Sequence, residues 1–417
     1  MKKSYDVVVI GGGPAGLAAA IAAYDNGVKD VLLLEREDRL GGILNQCIHN
    51  GFGLTRFKES LSGTEYAARF IEEVEKRKID VLTETTVLSL SKDKEVTAIN
   101  PNGKFVLVAK AVILAMGCRE RSRGAITVAG DRPAGVFSAG TAQKYVNIKG
   151  YLPGKRVVIV GSGDIGLIMA RRMTLEGAKV LAVCEIMPYS SGLKRNIEQC
   201  LHDFDIPLYL SHTVTKIEGE KRVTGVVVSQ VDKQRRPIQG TEKRFDCDTV
   251  LYSVGLIPEN ELAKEAGVEI SSKTGGAIVN QHRETSVSGI FACGNVLQVH
   301  DLVDFVSEEA EIAGKSAANY CLRGGEGEQA IVRVENGESV SYVCPQRIVK
   351  NEEKVKLFFR VKSALKNCVI KLSCGGEVLV SRRKNAMTPG EMESILLPSA
   401  KLALATDEIV LSVKGEV

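Results

Sequence analysis

Short apolar runs closed by glycine-rich turns recur along most of the chain. Asp6-Val7-Val8-Val9-Ile10 reads as an apolar strand that leads into Gly11-x-Gly13-x-x-Gly16. An alanine-rich helix follows through Ala23, and a second strand, Val31 to Leu34, ends in Glu35. The same order then returns. Val157 to Val160 leads into Gly161-x-Gly163-x-x-Gly166, a helix through Met173, and a strand from Val180 to Cys184 that ends in Glu185. All three glycines and the acid stand 150 positions beyond their first counterparts. Two further buried strands, Val112 to Gly117 and Val250 to Gly255, each end in glycine. Beyond the linker signal Gly324-Gly325-Glu326-Gly327 the period changes to two. Val355, Leu357, Phe359 and Val361 alternate with Lys356, Phe358, Arg360 and Lys362, and Cys368, Ile370 and Leu372 alternate likewise. Gly375-Gly376 turns the chain into Val378 to Val380, and Ile409, Leu411 and Val413 form one more stripe. The pattern predicts an α/β protein with two Rossmann-like units and a small antiparallel β domain, sandwich-like, at its end.

The repeated glycines have a chemical reading. In each copy the first glycine permits a tight turn from strand to helix, the second lets backbone approach a pyrophosphate, and the third lets helix pack on strand. The helix N-terminus then turns its free N–H groups and partial positive charge toward the phosphates. The acid at the tip of the second strand can accept ribose hydroxyls. A single such pattern is weak: with 41 glycines in 417 residues, chance supplies roughly 0.4 matches. Strand, glycines, helix and acid recurring together make two dinucleotide sites the better reading.

Composition narrows the partners. The net charge is +4, with Lys and Arg scattered, which is not the basic footprint of a nucleic-acid binder. The start of the chain passes directly into an apolar strand, and the longest small-apolar run, Ala15 to Ala23, falls short of a transmembrane segment. A cytoplasmic protein with reduced thiols is therefore expected. Among the 10 cysteines the closest pair, Cys368 and Cys374, is six apart, so no sequence-local metal site or redox disulfide is expected. Cys118, Cys184, Cys247 and Cys293 sit at strand ends and read as core.

Taken with Val112–Gly117 and Val250–Gly255, these fingerprints resemble the pyridine nucleotide–disulfide oxidoreductase superfamily, in which an NAD(P) domain is inserted into an FAD domain. A further motif of that family is matched by Thr285, Ser286, Gly289, Ile290, Phe291, Ala292 and Gly294. The resemblance covers about residues 4 to 323. It implies FAD at Gly11, Gly13, Gly16, Glu35, Gly42, Gly117, Gly294, Asn295 and Ser307, and NAD(H) at Gly161, Gly163, Gly166, Glu185 and Gly255. It also implies FAD-binding segments over residues 1–120 and 263–325, an NAD(H)-binding segment over 121–262, and a C-terminal β domain over 326–417.

Departures from the family matter as much. Asn295 stands where the family has an aspartate that holds a ribityl hydroxyl; Asn still donates and accepts, so FAD is expected to be retained. Ser307 reads as the N-cap of a helix through Ala318 whose start points at the flavin. Dithiol catalysis is not expected, because Cys47 alone follows Gly41-Gly42 and no histidine lies beyond His300. By analogy Cys47 and His49 lie over the flavin, as a single reactive thiol with an acid/base partner or as packing groups of the pocket. The implied chemistry is hydride exchange between NADH and the flavin. Electrons would pass on to an acceptor or to a partner subunit, as in flavoprotein subunits that accompany glycerol-3-phosphate, hydroxyacid or amino-acid dehydrogenases. The rivals are an NADH-dependent peroxide or disulfide reductase using Cys47, and a scaffold that holds FAD without turnover.

Overall fold

The computed structural model describes residues 2–324, 330–350 and 354–416, so Gly325 to Gly327 of the expected linker lie outside the described residues. Two compact units result: Met1–Cys118 with Pro258–Val417, and Arg119–Ile257, which is inserted between them in the sequence.

In the first unit the apolar runs become a seven-stranded sheet. Asp80–Leu82, Val31–Leu34, Ser4–Ile10 and the upper half of Gly103–Leu114 pair in parallel, and Ile290–Ala292 adds to Gly103–Leu114. The lower half of Gly103–Leu114 pairs antiparallel with Glu95–Asn100, which pairs with Thr86–Leu90. Both faces of the parallel strands are covered, which is why Val7 to Ile10 and Val31 to Leu34 are unbroken apolar runs, whereas the antiparallel strands Thr86–Leu90 and Glu95–Asn100 alternate exposed with covered positions. Val7, Val9 and Leu33 face a core built with helices Pro14–Asp25, Gly63–Lys76 and Val303–Arg323, whereas Val8, Ile10, Leu32 and Leu34 face a second core. The run of small residues from Ala15 to Ala23 lets Pro14–Asp25 lie directly on Val303–Arg323: a Cβ on Gly314 would overlap the Ala19 carbonyl oxygen.

The second unit holds a five-stranded parallel sheet. Its order is Val136–Ser138, Thr249–Tyr252, Arg156–Val160, Lys179–Glu185, Leu208–Leu210. A four-stranded sheet made of Ala129–Gly130, His212–Glu218, Gly225–Gln230 and Lys243–Phe245 completes the unit.

The C-terminal module is a sandwich of two sheets around one core. A five-stranded sheet, built on Leu365–Cys374, Glu377–Met387 and Glu408–Glu416, supplies Ile370, Leu372, Ile409 and Leu411. A three-stranded sheet of Val340–Cys344, Val355–Val361 and Glu393–Leu397 supplies Val343, Leu357, Phe359 and Ile395. Pairing is antiparallel except that Ile331–Asn336 runs parallel to Glu408–Glu416. Among the described residues no helix is long and apolar enough to cross a membrane.

Candidate functional site

The first glycine loop is closed by its own acid. Gly11 has φ +108°, and a Cβ there would lie 2.5 Å from the Ala115 carbonyl oxygen, so only glycine fits the turn. The Gly12 N–H donates to Glu35 Oε2 at 2.7 Å, and the Glu37 N–H donates to Oε1 at 2.8 Å. Glu35 is thereby buried with both oxygens bonded, each keeping a lone pair for a further donor. A Cβ on Gly16 would overlap the Gly11 carbonyl oxygen, the close packing of helix on strand that the third glycine permits. Gly13 is the N-cap of Pro14–Asp25, and no side chain caps this helix start. Its virtual Cβ meets only Gly42 Cα at 3.9 Å, which leaves a cradle lined by two glycine backbones. A Cβ on Gly117 would meet nothing within 4 Å.

The second unit repeats this geometry at the same offset. Gly161 has φ +93° and packs on the Ser253 carbonyl; the Ser162 N–H donates to Glu185 Oε2 at 2.9 Å, and the Met187 N–H to Oε1 at 2.9 Å. The Ser162 hydroxyl adds a second donor to Oε2 at 2.6 Å. Gly163 caps Asp164–Leu175, and Gly166 packs on Gly161 and donates its N–H to Ser253 Oγ at 3.1 Å. Arg121 lies over Gly255, its Nε 3.6 Å from a virtual Cβ. The loop after Glu185 folds back on the fingerprint: the Ser190 hydroxyl donates to Ser162 O, and Asp164 accepts the Leu193 N–H. Lys194 is the first basic residue after Glu185 in sequence, but the fold brings another one near. The Ser211 N–H bonds Met187 O, and the Val231 N–H bonds Ser211 O, which carries the exposed Arg235 turn toward the Glu185 loop.

Ser307 is not an N-cap. The helix begins one turn earlier, at Val303 after Leu302, and Ser307 is buried with its hydroxyl 2.8 Å from Tyr66 Oη. The earlier start is favoured because Asp304 in the first turn accepts the N–H groups of Gly53 (3.1 Å) and Thr55 (2.7 Å). Asp304 thereby pins the loop that follows Cys47 and His49. Asn295 accepts the His300 N–H at 3.0 Å, and its amide nitrogen lies 3.7 Å from Cys118 Sγ. Cys118 is thus half-buried beside the closing motif and is not core, whereas Cys184, Cys247 and Cys293 are buried as expected.

Cys47 is buried at the end of the short helix Gly42–Gln46, its thiol 3.4 Å from the Ile43 carbonyl. Burial pushes its pKa up to about 12, which leaves almost no thiolate near neutral pH. His49 lies 5.1 Å, ring to ring, from Phe52.

Sequence reading missed the buried cluster around Glu309. Gly294 N–H (3.0 Å) and His300 Nε2 (2.9 Å) meet Oε2, while Arg283 Nε (3.1 Å) and Gln298 Nε2 (2.8 Å) meet Oε1. Burial alone would raise the Glu309 pKa, but His300 and Arg283 outweigh it and hold the carboxyl at about 2. Of its partners only Gly294 belongs to a recognisable motif.

Comparison with known proteins adds to this geometry. The family model described as pyridine nucleotide-disulphide oxidoreductase matches residues 5–317. The chain is 25% identical over 329 residues to a subunit of alkyl hydroperoxide reductase from Staphylococcus aureus strain MRSA252, covering 77% of this chain and 60% of that protein. It is 28% identical over 298 residues to NADH dehydrogenase of Bacillus subtilis strain 168, covering 70% of this chain and 54% of that protein. It therefore spans little more than half the length of these relatives. The thioredoxin reductase of T. acidophilum superposes with a TM-score of 0.63 at 27% identity, over 76% of this chain and 99% of that one.

The two glycines of the first loop are expected to fail differently. Gly16→Ala puts a methyl group into the Gly11 carbonyl and should cost about 1–3 kcal/mol of folded stability. Gly13→Val keeps the fold, because a Cβ there is in ordinary contact, but fills the cradle. Its cofactor-free thermal midpoint should match the parent while FAD is lost. Thermal unfolding combined with the flavin-to-protein absorbance ratio separates the two. A Gly13→Val chain that keeps stoichiometric FAD removes this loop from the site.

Proposed function

Because the chain belongs to the pyridine nucleotide-disulphide oxidoreductase family, whose members bind FAD and NAD(P)H, we propose that it is an FAD-dependent oxidoreductase that exchanges hydride with NADH. In this reading, electrons pass on to an acceptor or partner subunit. The observation that carries this reading is the doubled closure, Gly12 N–H on Glu35 and Ser162 N–H on Glu185, with the same spacing in each unit. FAD, when bound, supplies the group that accepts and releases hydride. The residues present fit it: the uncapped helix start at Gly13 takes the pyrophosphate, the free lone pairs of Glu35 take the adenosine ribose, and Gly117, Gly294 and Asn295 border the remainder. In the inserted unit Gly161, Gly163, Gly166 and Gly255 receive the nicotinamide dinucleotide, with Glu185 on its ribose. The relatives named NADH dehydrogenase and alkyl hydroperoxide reductase support the reaction class, and the second of them is itself one subunit by name. Ten free thiols suit a reducing, cytoplasmic setting.

Peroxide or disulfide reduction through Cys47 is the second reading, favoured by the names of the relatives and opposed by the burial of that thiol. Hydride exchange with the flavin needs no thiol. Cys47→Ser should therefore keep NADH-to-dye electron transfer within about tenfold of the parent, or roughly 1.4 kcal/mol of barrier. A larger loss, or a sulfenic acid trapped at Cys47, would move the assignment to thiol chemistry.

Cofactor choice follows from Glu185. Its carboxylate is fixed by Ser162 and Met187, so a 2′-phosphate would meet a like charge in a partly desolvated crevice, with Ile186, Met187 and Pro188 next in sequence. NADH should be preferred over NADPH by at least about tenfold in kcat/KM. Replacing Glu185 with Ser and Ile186 with Arg should erode that ratio. Equal kcat/KM values in the parent chain would refute the role given to Glu185 and turn attention to Arg235.

A further inference from the structure

The polar phase of strand Val355–Val361 is at most half-exposed and packs on other parts of the same unit. Its three central members, Lys356, Phe358 and Arg360, meet the stretch from Val299 through the first turns of the Asp304 helix. Lys356 Nζ pairs with Glu308 Oε1 at 2.7 Å. The Phe358 ring lies edge-on to the His300 imidazole at 6.2 Å. Arg360 donates to the Val299 carbonyl at 3.0 Å and pairs with Asp301, whose other oxygen accepts the Met392 N–H at 2.6 Å. His300 is therefore fixed from three sides: by Glu309 through Nε2, by Asn295 through its backbone N–H, and by the C-terminal module through Phe358 and its own neighbours Val299 and Asp301.

One atom of this residue is left over. The His300 side chain is fully buried, yet Nδ1 has no hydrogen-bond partner among the described residues. Because Nε2 faces a carboxylate it carries a hydrogen, which leaves Nδ1 as the ring nitrogen still to be bonded. An unmet buried ring nitrogen costs free energy, and so many bonds spent on orienting one imidazole are hard to explain by packing alone. Glu309 Oε2 binds both His300 Nε2 and the Gly294 N–H, so the imidazole stands beside Gly294 and Asn295. Those residues border the far end of the cofactor from Glu35.

We propose that His300 is a cofactor-binding residue whose buried Nδ1 closes on the flavin–ribityl end of FAD. Phe358 and Arg360 of the C-terminal module are its positioning residues. The inference rests on the FAD reading above. It gives the module a task within the chain: it is the back wall of the flavin end.

The test compares His300→Gln, whose amide overlays Nε2 and keeps the Glu309 bond, with His300→Asn, whose amide overlays Nδ1. FAD and ADP are titrated into each cofactor-free chain, and the flavin midpoint potential is measured in each loaded one. His300→Gln should weaken FAD by at least about fivefold, the worth of one hydrogen bond, and leave ADP within about twofold. It should also shift the midpoint potential, a quantity that a purely structural role would not move. His300→Asn should recover part of the FAD affinity. Arg360→Gln, which leaves His300 intact, provides a second variant and should weaken FAD and not ADP in the same direction. Parental FAD affinity and potential in His300→Gln would overturn the proposal, as would equal losses of FAD and ADP. A parent chain that takes up ADP and no FAD would overturn the FAD reading with it.

Discussion

At the tip of one strand in each unit, a buried carboxylate accepts a backbone N–H from inside a glycine loop, and the rest of the architecture is organised around that bond. Glu35 and Glu185 would be costly to bury without donors, and each loop supplies one N–H while the chain two residues on supplies another. The bond forms only if adjacent parallel strands stay in register, Ile10 beside Leu34 and Val160 beside Cys184. Both faces of these parallel strands are buried, which explains the unbroken apolar runs. Once the acid holds the loop, the N-terminus of the following helix is left without a side-chain cap, and a phosphate can take its N–H groups.

A second buried carboxylate, Glu309, does for the closing motif what Glu35 does for the opening one. It joins Arg283 and the Gly294–His300 stretch, through Gly294, Gln298 and His300, to a single helix. Removing one member of such a network strands the others without partners, so these residues stand or fall together. The same helix carries Asp304, which pins the loop after His49, and Ser307, which bonds Tyr66. One helix thus fixes both the closing motif and the loop after His49.

Much of this was legible in the sequence where the signal is local. The strand expected over Asp6 to Ile10 is Ser4–Ile10, that over Val180 to Cys184 is Lys179–Glu185, and the period-two stripe at Val355 to Val361 is a strand. Both glycine loops and their acids are where spacing put them. What was not legible depends on contacts between distant residues. Ser307 looked like a cap because serine precedes two glutamates, but Asp304 recruits the Gly53 and Thr55 N–H groups and starts the helix earlier. Cys47 kept two readings open in the sequence, and only its burial distinguishes them. Phe358 was the one local clue to the seam of the C-terminal module: an aromatic residue in the polar phase of an alternating strand.

The proposed activity requires one chain to hold both a flavin and the site from which NADH reduces it. Anaerobic titration of the purified, FAD-loaded protein with NADH probes this without intermediaries. The visible flavin absorbance should bleach with one NADH per FAD, with no thiol reagent, metal or partner protein added. A flavin that stays oxidised in excess NADH, while dithionite still bleaches it, would show that the chain does not hold both.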